Sequence, residues 1–363
     1  MLVFGAIVIV ATALLATFVL RWLRPKELEI KGKHVCITGG SEGIGLSLAQ
    51  ECVRKGAFAV TLIARSPKKL EVAVEQLSTT AGPYECRSAS DSESNSSCVV
   101  RAFSCDVTDA QSVTKLFKIV NETSLDVFSK DSEGQEALAA AKSAGLVAIR
   151  TTDGKCVPTK IRPIDILINC AGTCVCDEFD SLEPQELEIQ LRLNVCGTMY
   201  PCQELMKFVQ REEDAGEHPK RVIVLLGSLA SQLNIYGFVA YGASKFAIRG
   251  IWEALTMECD PLNIRIVCAF PPNTDTPGFE IENRRKPEIT KIIEDTPGLY
   301  TADEVATSII DGIERGKSSL VRLGHQRCQG PDELRLALWS CSGRPFGLLA
   351  QSHSQTIEKK YRE

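Results

Sequence analysis

Residues 34–45, His-Val-Cys-Ile-Thr-Gly-Gly-Ser-Glu-Gly-Ile-Gly, constrain the fold of this chain more than any other stretch. A short β-branched run of this kind reads as a buried strand. Gly39, Gly43 and Gly45 follow it, and then Leu46, Leu48, Ala49, Cys52 and Val53 recur at helical spacing. Strand, glycine turn, helix is the geometry that holds a pyrophosphate. Glycines let the backbone approach the phosphates, and the helix N-terminus supplies unpaired N–H groups and partial positive charge. The spacing is Gly-x-x-x-Gly-x-Gly rather than the Gly-x-Gly-x-x-Gly of the usual dinucleotide fingerprint. A glycine-rich turn without a ligand is the competing reading.

The alternation continues along the chain. Strands are predicted at 60–64, 99–105, 164–168, 221–226, 264–270 and 319–323, and helices at 68–78, 110–120, 184–209, 241–258 and 301–315. Such a pattern predicts an α/β fold, a Rossmann-type doubly wound parallel sheet with ligands at the carboxyl ends of its strands. We assign residues 25–323 to this domain, with insertions at about 79–98 and 121–160. The first is polar and reads as a surface loop. The second includes a predicted helix at 136–144 and is expected to leave the sheet unaltered. Residues 324–363 form a polar tail whose longest apolar patch, 346–350, is far too short to span a membrane.

Residues 2–20 carry no charge, and 19 residues at about 1.5 Å each nearly span a hydrocarbon core of ~30 Å. Arg21, Arg24, Lys26, Lys31 and Lys33 follow directly. The positive-inside rule then predicts a transmembrane anchor over 1–24, with the downstream domain facing the cytosol. A signal peptide would want a basic start and a small-residue cleavage site, and Arg21-Trp-Leu-Arg24 is a poor one.

The formal net charge of −5 argues against nucleic acid as a partner. Fifteen cysteines and four histidines contain no Cys-x-x-Cys pair, so no metal site is expected. Cys36, Cys52, Cys170 and Cys268 sit in apolar runs and read as buried, reduced thiols.

A second motif lies far downstream. Tyr241-Gly-Ala-Ser-Lys245 places a phenol and an ammonium one helical turn apart. A nearby ammonium favours the ionised phenol, and a phenol shifted toward neutrality exchanges a proton with a carbonyl oxygen. An ordinary solvated helix pair has the same spacing.

Together the glycine turn, Asn169-Cys-Ala-Gly172, Asn194 in Leu-Asn-Val-Cys-Gly, Ser228 and the Tyr241/Lys245 pair resemble the short-chain dehydrogenase/reductase family from about residue 31 to residue 324. The resemblance implies an NADPH-dependent oxidoreductase and the following roles. Ser228 bonds the ketone oxygen, Tyr241 donates the proton, and Lys245 lowers the Tyr241 pKa and binds ribose. Asn194 holds a water that refills the proton, or is simply a helix-bend residue. Gly39, Ser41, Glu42, Gly43, Ile44 and Gly45 form the phosphate turn. Asn169 fixes backbone near the nicotinamide ribose, and Thr274 and Thr276 meet the carboxamide end. Asp106 and Val107 meet the adenine, with a helix cap as the alternative for Asp106.

Arg65 follows the second strand where an acidic residue would select NAD, and Lys69 is one turn on, so NADPH is the expected cofactor. Glu42 opposes that preference if it points inward. Within the family, residues 240–250, 271–279 and 282–286 look like the members that reduce a long-chain 3-keto sphingoid base at the endoplasmic reticulum membrane, drawing it from membrane lipid. Phe238, Phe270, Phe279 and Ile281 suggest an apolar entrance for such a chain, with core packing as the equal alternative. A steroid or retinoid dehydrogenase is the alternative, and a non-catalytic tethered scaffold a second. The family's long helix pair is compatible with a homodimer.

Overall fold

The computed structural model describes residues 28–80, 98–122, 132–152, 162–213, 219–294 and 298–321. The predicted anchor at 1–24, most of the polar loop at 79–98 and the tail from 324 lie outside them. No helix among the described residues is long and apolar enough to cross a membrane.

Strand β1 (His34–Thr38) leads through the glycine turn into helix α1 (Gly43–Arg54), followed by β2 (Ala59–Ala64) and α2 (Pro67–Thr80). Then come β3 (Val99–Ser104), α3 (Ala110–Glu122), α4 (Ser132–Ser143) and β4 (Leu146–Thr151). The second half holds β5 (Ile166–Asn169), α5 (Pro184–Leu191), α6 (Gly197–Glu213), β6 (Arg221–Leu226), α7 (Val239–Cys259) and β7 (Ile264–Phe270). A short β8 (Thr274–Asp275), helices α8 (Pro277–Asn283) and α9 (Glu288–Glu294), and β9 (Tyr300–Thr301) precede α10 (Ala302–Glu314) and β10 (Ser319–Val321).

Eight strands form one sheet in the order β10-β7-β6-β5-β1-β2-β3-β4. From β1 the chain builds outward through β2 and β3, then returns to the other side of β1 with β5. The crevice above β1 and β5 is therefore the switch point at which open α/β sheets bind ligands. Side-chain alternation along β1 makes the two cores. Val35 and Ile37 pack with α1, α2 and α10 residues such as Leu48, Leu70 and Ile309. Cys36 faces the opposite layer, with Phe117 of α3, Leu205 of α6 and Ile248 of α7.

Three features depart from the sequence reading. The 121–160 insertion does alter the sheet: after the expected helix, β4 pairs antiparallel with β3 and becomes the edge strand. Its residues are mostly half-buried, as suits an edge, so its pattern is weak. The helix predicted at 184–209 is broken by a π turn, Arg192–Cys196, which separates α5 from α6. The third is the segment between β7 and α10, which folds into α8, α9 and the two-stranded β8–β9 pair, none of which was foreseen.

One polar cluster lies inside the sheet. His34, fully buried, meets the Arg162 carbonyl through Nδ1 at 2.9 Å and the Thr61 hydroxyl through Nε2 at 2.9 Å. Arg101 Nη2 lies 3.1 Å from the same Nε2, and Arg101 Nε donates to Thr61 Oγ1. Burial, and then the Arg101 charge, hold the His34 imidazole down to about 3, so it is neutral here.

Candidate active site

A cavity of about 1120 Å³ opens over the carboxyl ends of β1, β2, β5 and β6. One end is made of backbone. Gly39 and Gly43 both have positive φ, +67° and +56°. A Cβ on Gly39 would come within 2.8 Å of the Ala171 backbone, and one on Gly45 within 2.2 Å of the Gly39 carbonyl oxygen. Only glycine permits the turn to lie against the β5 loop and α1 to start this close to β1. The N-terminus of α1 lacks a side-chain cap, since Glu42 at that position makes no capping bond. Its first N–H groups stay available to an anion. These residues fit a pyrophosphate.

Gly39, Ser41, Glu42, Gly43, Ile44, Gly45, Arg65 and Lys69 all line this end, as the sequence predicted. Glu42 and Lys69 bind each other, Lys69 Nζ lying 2.8 Å from both carboxylate oxygens. Both side chains are about half exposed, so the pair contributes ~1 kcal/mol or less and yields readily to a phosphate. Glu42 is thus turned onto Lys69, and Arg65 is the cation at this corner outside that pair.

The other expected contacts divide. Val107 lines the cavity and Asp106 does not. The Asp106 carboxylate accepts the Thr108 amide and hydroxyl at 2.9 and 2.8 Å, so it shapes the turn before α3. Asn169 also turns away: its Nδ2 reaches Cys202 Sγ at 3.3 Å, toward α6. The backbone-fixing role expected of it belongs to Thr38, whose hydroxyl accepts the amides of Cys170 and Ala171, both at 3.2 Å. Thr38 was visible in the glycine motif, but its contact is 132 residues away and left no local signal. Thr274 lines the cavity, its hydroxyl tied to the Pro272 carbonyl at 2.8 Å. Thr276 caps α8 by accepting the Phe279 amide and packs on the glycine turn, its Cγ2 3.2 Å from where a Gly43 Cβ would lie.

Ser228, Tyr241 and Lys245 converge on the middle of the cavity. Ser228 follows β6 and caps a 3-10 turn, Leu229–Ser231, by accepting the Ala230 amide at 3.1 Å. That bond occupies a lone pair and leaves the hydroxyl hydrogen free to donate. Lys245 is buried, donates to the Leu226 carbonyl at 2.9 Å, and lies 5.6 Å from the centroid of the Tyr241 ring.

The expected acidification of Tyr241 is not what this arrangement produces. Burial raises the phenol well above its usual value, the nearby Cys174 and Glu282 add to that, and Ser228 opposes it. Burial also lowers Lys245. Desolvation exceeds the ammonium's pull because the ammonium is turned to Leu226 rather than to the phenol oxygen. The phenol is therefore a neutral, protonated donor at physiological pH.

Asn194 sits in the π turn, and its side chain is engaged by protein. Oδ1 accepts the Thr173 amide at 2.8 Å, while Nδ2 reaches the Thr173 carbonyl at 2.9 Å and Ser244 Oγ at 2.8 Å. This is the helix-bend alternative: Asn194 clamps the loop after β5 to α7 and so positions Lys245. Both amide hydrogens of Asn194 are taken up by that clamp.

The far end of the cavity is apolar with two carboxylates. Phe238, Phe279 and Ile281 line it as expected, whereas Phe270 is core and meets Trp252 edge-on at 6.1 Å. Glu282 and Glu294 also line it. The sequence reading gave neither a chemical role, because they stand on different short helices and meet only through Lys286. Cys174 is there too, its thiol raised well above the usual value by burial and then by Glu282. Thiols buried elsewhere, among them Cys36 and Cys268, are pushed up to about 12 and are inert.

The family model of the short chain dehydrogenases matches residues 33–129 and 154–287. The 3-ketodihydrosphingosine reductase of Mus musculus is 32% identical over 359 residues, covering 98% of this chain and 89% of that protein. The 3-dehydrosphinganine reductase of Danio rerio is 31% identical over 357 residues, with the same coverage. A match over 98% of the chain runs into residues 324–363, where the motifs alone end the resemblance. Among solved structures, a short-chain dehydrogenase from Sphingobium yanoikuyae in complex with NADPH aligns with a TM-score of 0.56 at 21% identity, covering 88% of this chain and 95% of that one. A 3-ketoacyl-(acyl-carrier-protein) reductase from Brucella melitensis complexed with NADH gives 0.55 at 19% identity, with 80% and 97% covered. With the glycine turn, the Ser228–Tyr241–Lys245 group and the switch-point sheet in one cavity, this chain belongs to the short-chain dehydrogenase family.

Proposed function

We propose that this protein reduces the ketone of a long-chain 3-keto sphingoid base, 3-ketodihydrosphingosine, to dihydrosphingosine with NADPH. The observation that carries the reading is the single cavity, in which a backbone phosphate cradle, a serine–tyrosine pair and an apolar chamber follow one another. Relatives bearing that activity in their names span nearly the whole chain.

When bound, the nicotinamide supplies a hydride to the ketone carbon. The glycine turn and the α1 N-terminus hold the phosphates. Arg65 meets the 2′-phosphate, with Lys69 released to it from Glu42, which favours NADPH over NADH. Ser228 donates to the ketone oxygen, where negative charge develops. Tyr241, neutral and protonated, gives its proton to that oxygen as the C–O double bond becomes a single bond. Lys245 stabilises the phenolate left behind, a role strongest in the transition state because the phenol is so reluctant to ionise alone.

The reading places the protein at the endoplasmic reticulum membrane with this domain in the cytosol. Its support is the uncharged stretch 2–20 with basic residues after it. A chain that rarely leaves the bilayer favours an enzyme held at its surface.

The test is product identification. The full chain in membranes, given NADPH and 3-ketodihydrosphingosine, is expected to yield dihydrosphingosine. Turnover of a steroid or retinoid ketone but not of this one overturns the assignment.

A further inference from the structure

The substrate end of the cavity carries charge that ketone reduction does not require. Glu282, near the end of α8, and Glu294, closing α9, both face it. Lys286 binds the two: its Nζ lies 2.6 Å from Glu282 Oε1 and also contacts Glu294. The lysine is not itself a cavity wall. Its side chain is only 1% exposed, set under the rings of Phe238 and Phe279 at 5.6 and 4.6 Å. Two carboxylates thus face the chamber while the one cation between them lies behind. Of the neighbouring cations, Arg285 is committed to Asp177 and Glu186, Lys291 to Glu288 and Lys245 to the Leu226 carbonyl, while Arg284 is exposed and outside the cavity lining. With both carboxylates ionised, the single Lys286 ammonium leaves the chamber wall one negative charge out of balance, and burial raises the Glu294 carboxyl in keeping with that. Holding such a charge away from water is costly unless a cation arrives with the ligand.

We infer that Glu282, backed by Glu294, is the subsite for the ammonium group of an amino-ketone substrate. The inference rests on the sphingoid-base reading and deepens it. In a 2-amino-3-keto chain the ammonium is on the carbon next to the ketone, so its partner has to lie beside Ser228 and Tyr241. Both carboxylates are near enough for their charge to act on the Tyr241 hydroxyl, raising it. An arriving ammonium cancels that field, so the phenol becomes the better proton donor when the cationic substrate is in place. A steroid or retinoid ketone has no group to do this and leaves the charge unpaired. Recognition and activation then come from one pair of residues.

The test compares 3-ketodihydrosphingosine with the same hydroxy-ketone chain lacking the amine, using the full-length protein in neutral detergent micelles. The wild type is expected to prefer the amine by about 10-fold or more in kcat/KM. In Glu282→Gln that preference collapses: KM for the amine rises about 10-fold, while the deaminated ketone, relieved of the field on Tyr241, is turned over no more slowly than by the wild type. Glu294→Gln shows the same effect more weakly. An unchanged ratio, or equal loss on both ketones, overturns the inference while leaving the functional reading intact. No turnover of either ketone by the wild type overturns the functional reading itself. Should Glu282→Gln lose NADPH binding and so report misfolding, the wild type decides by competition. A long-chain primary amine is expected to inhibit about 10-fold more tightly than the alcohol of equal length at pH 7, and equal inhibition overturns the subsite.

Discussion

At the cofactor end of the cavity the wall is backbone, drawn tight by Gly39, Gly43 and Gly45 at the ends of β1 and the start of α1. At the substrate end it is side chains, carried by two seven-residue helices, α8 and α9, that are held by a cap on Thr276 and by the bonds of Lys286. Backbone at strand ends is fixed by the sheet and tolerates almost no added volume. Side chains on short helices depend on a few polar contacts, and substitution there changes which ligand fits before it changes the fold.

The point where the two ends meet gives the largest effect. Tyr241→Phe removes the proton donor while keeping the ring that packs on Phe238. We expect turnover to fall about 10³-fold with NADPH affinity unchanged, measured by steady-state rates and by fluorescence titration. A variant that stays active would remove Tyr241 as the donor and break the comparison at its centre.

Paired glycine substitutions test the contrast itself. A Cβ at Gly45 meets a backbone oxygen at 2.2 Å, whereas at Gly278 on α8 the nearest atom is 3.8 Å away. Gly45→Ala is expected to destabilise by about 3 kcal/mol and to abolish NADPH binding, and Gly278→Ala to stay within about 0.5 kcal/mol of wild type. Equal thermal shifts for the two would show that the ends do not differ in rigidity.

The sheet beneath the cofactor end adds a pH signature that the helices do not share. The His34 imidazole is depressed in the fold to about 3, against an ordinary value of 6.5. Its contribution is complete above pH 6.5, where both states are neutral, and is lost as pH falls, because only the unfolded chain takes up the proton. Unfolding free energy should drop by about 2 kcal/mol between pH 6.5 and 5, and His34→Gln should flatten that slope in denaturant titrations.

Arg65→Ala sharpens the cofactor end with the smallest change. NADPH affinity should fall by about 10-fold, roughly 1.4 kcal/mol, while NADH affinity stays within about twofold. Loss of both cofactors alike would mean that Arg65 holds the loop rather than the phosphate.

Legibility followed the same divide. Strands β6 and β7 were predicted to the residue, because fully buried parallel strands read as unbroken apolar runs. The glycine turn was legible for a related reason: its constraint is local. The π turn at Asn194 was not, since one extra residue in a helical turn leaves the apolar spacing almost intact. Strand β4 was missed as a half-exposed edge, and α8 and α9 as helices too short to show a period. Ser228, Tyr241 and Lys245 meet in one cavity as the spacing suggested, yet the direction of the Tyr241 shift is the opposite of the one expected, and the Asn194 side chain is bonded within the protein. Spacing reveals that an ammonium is one turn away; it does not reveal where that ammonium points or how much water the phenol has lost.

The sequence by itself determined the alternation of the parallel strands with their main helices, the glycine turn, and the serine, tyrosine and lysine that meet in the cavity. All of these depend on residues close together in the chain or on patterns repeated along it. Tertiary structure alone decided that Thr38 pins the loop after β5, that Glu42 spends its charge on Lys69, and that Glu282 and Glu294 share one buried lysine. Hydrogen bonds and charge pairs of this kind are set by which atoms the packed fold brings within about 3 Å, and that distance carries no trace in residue order.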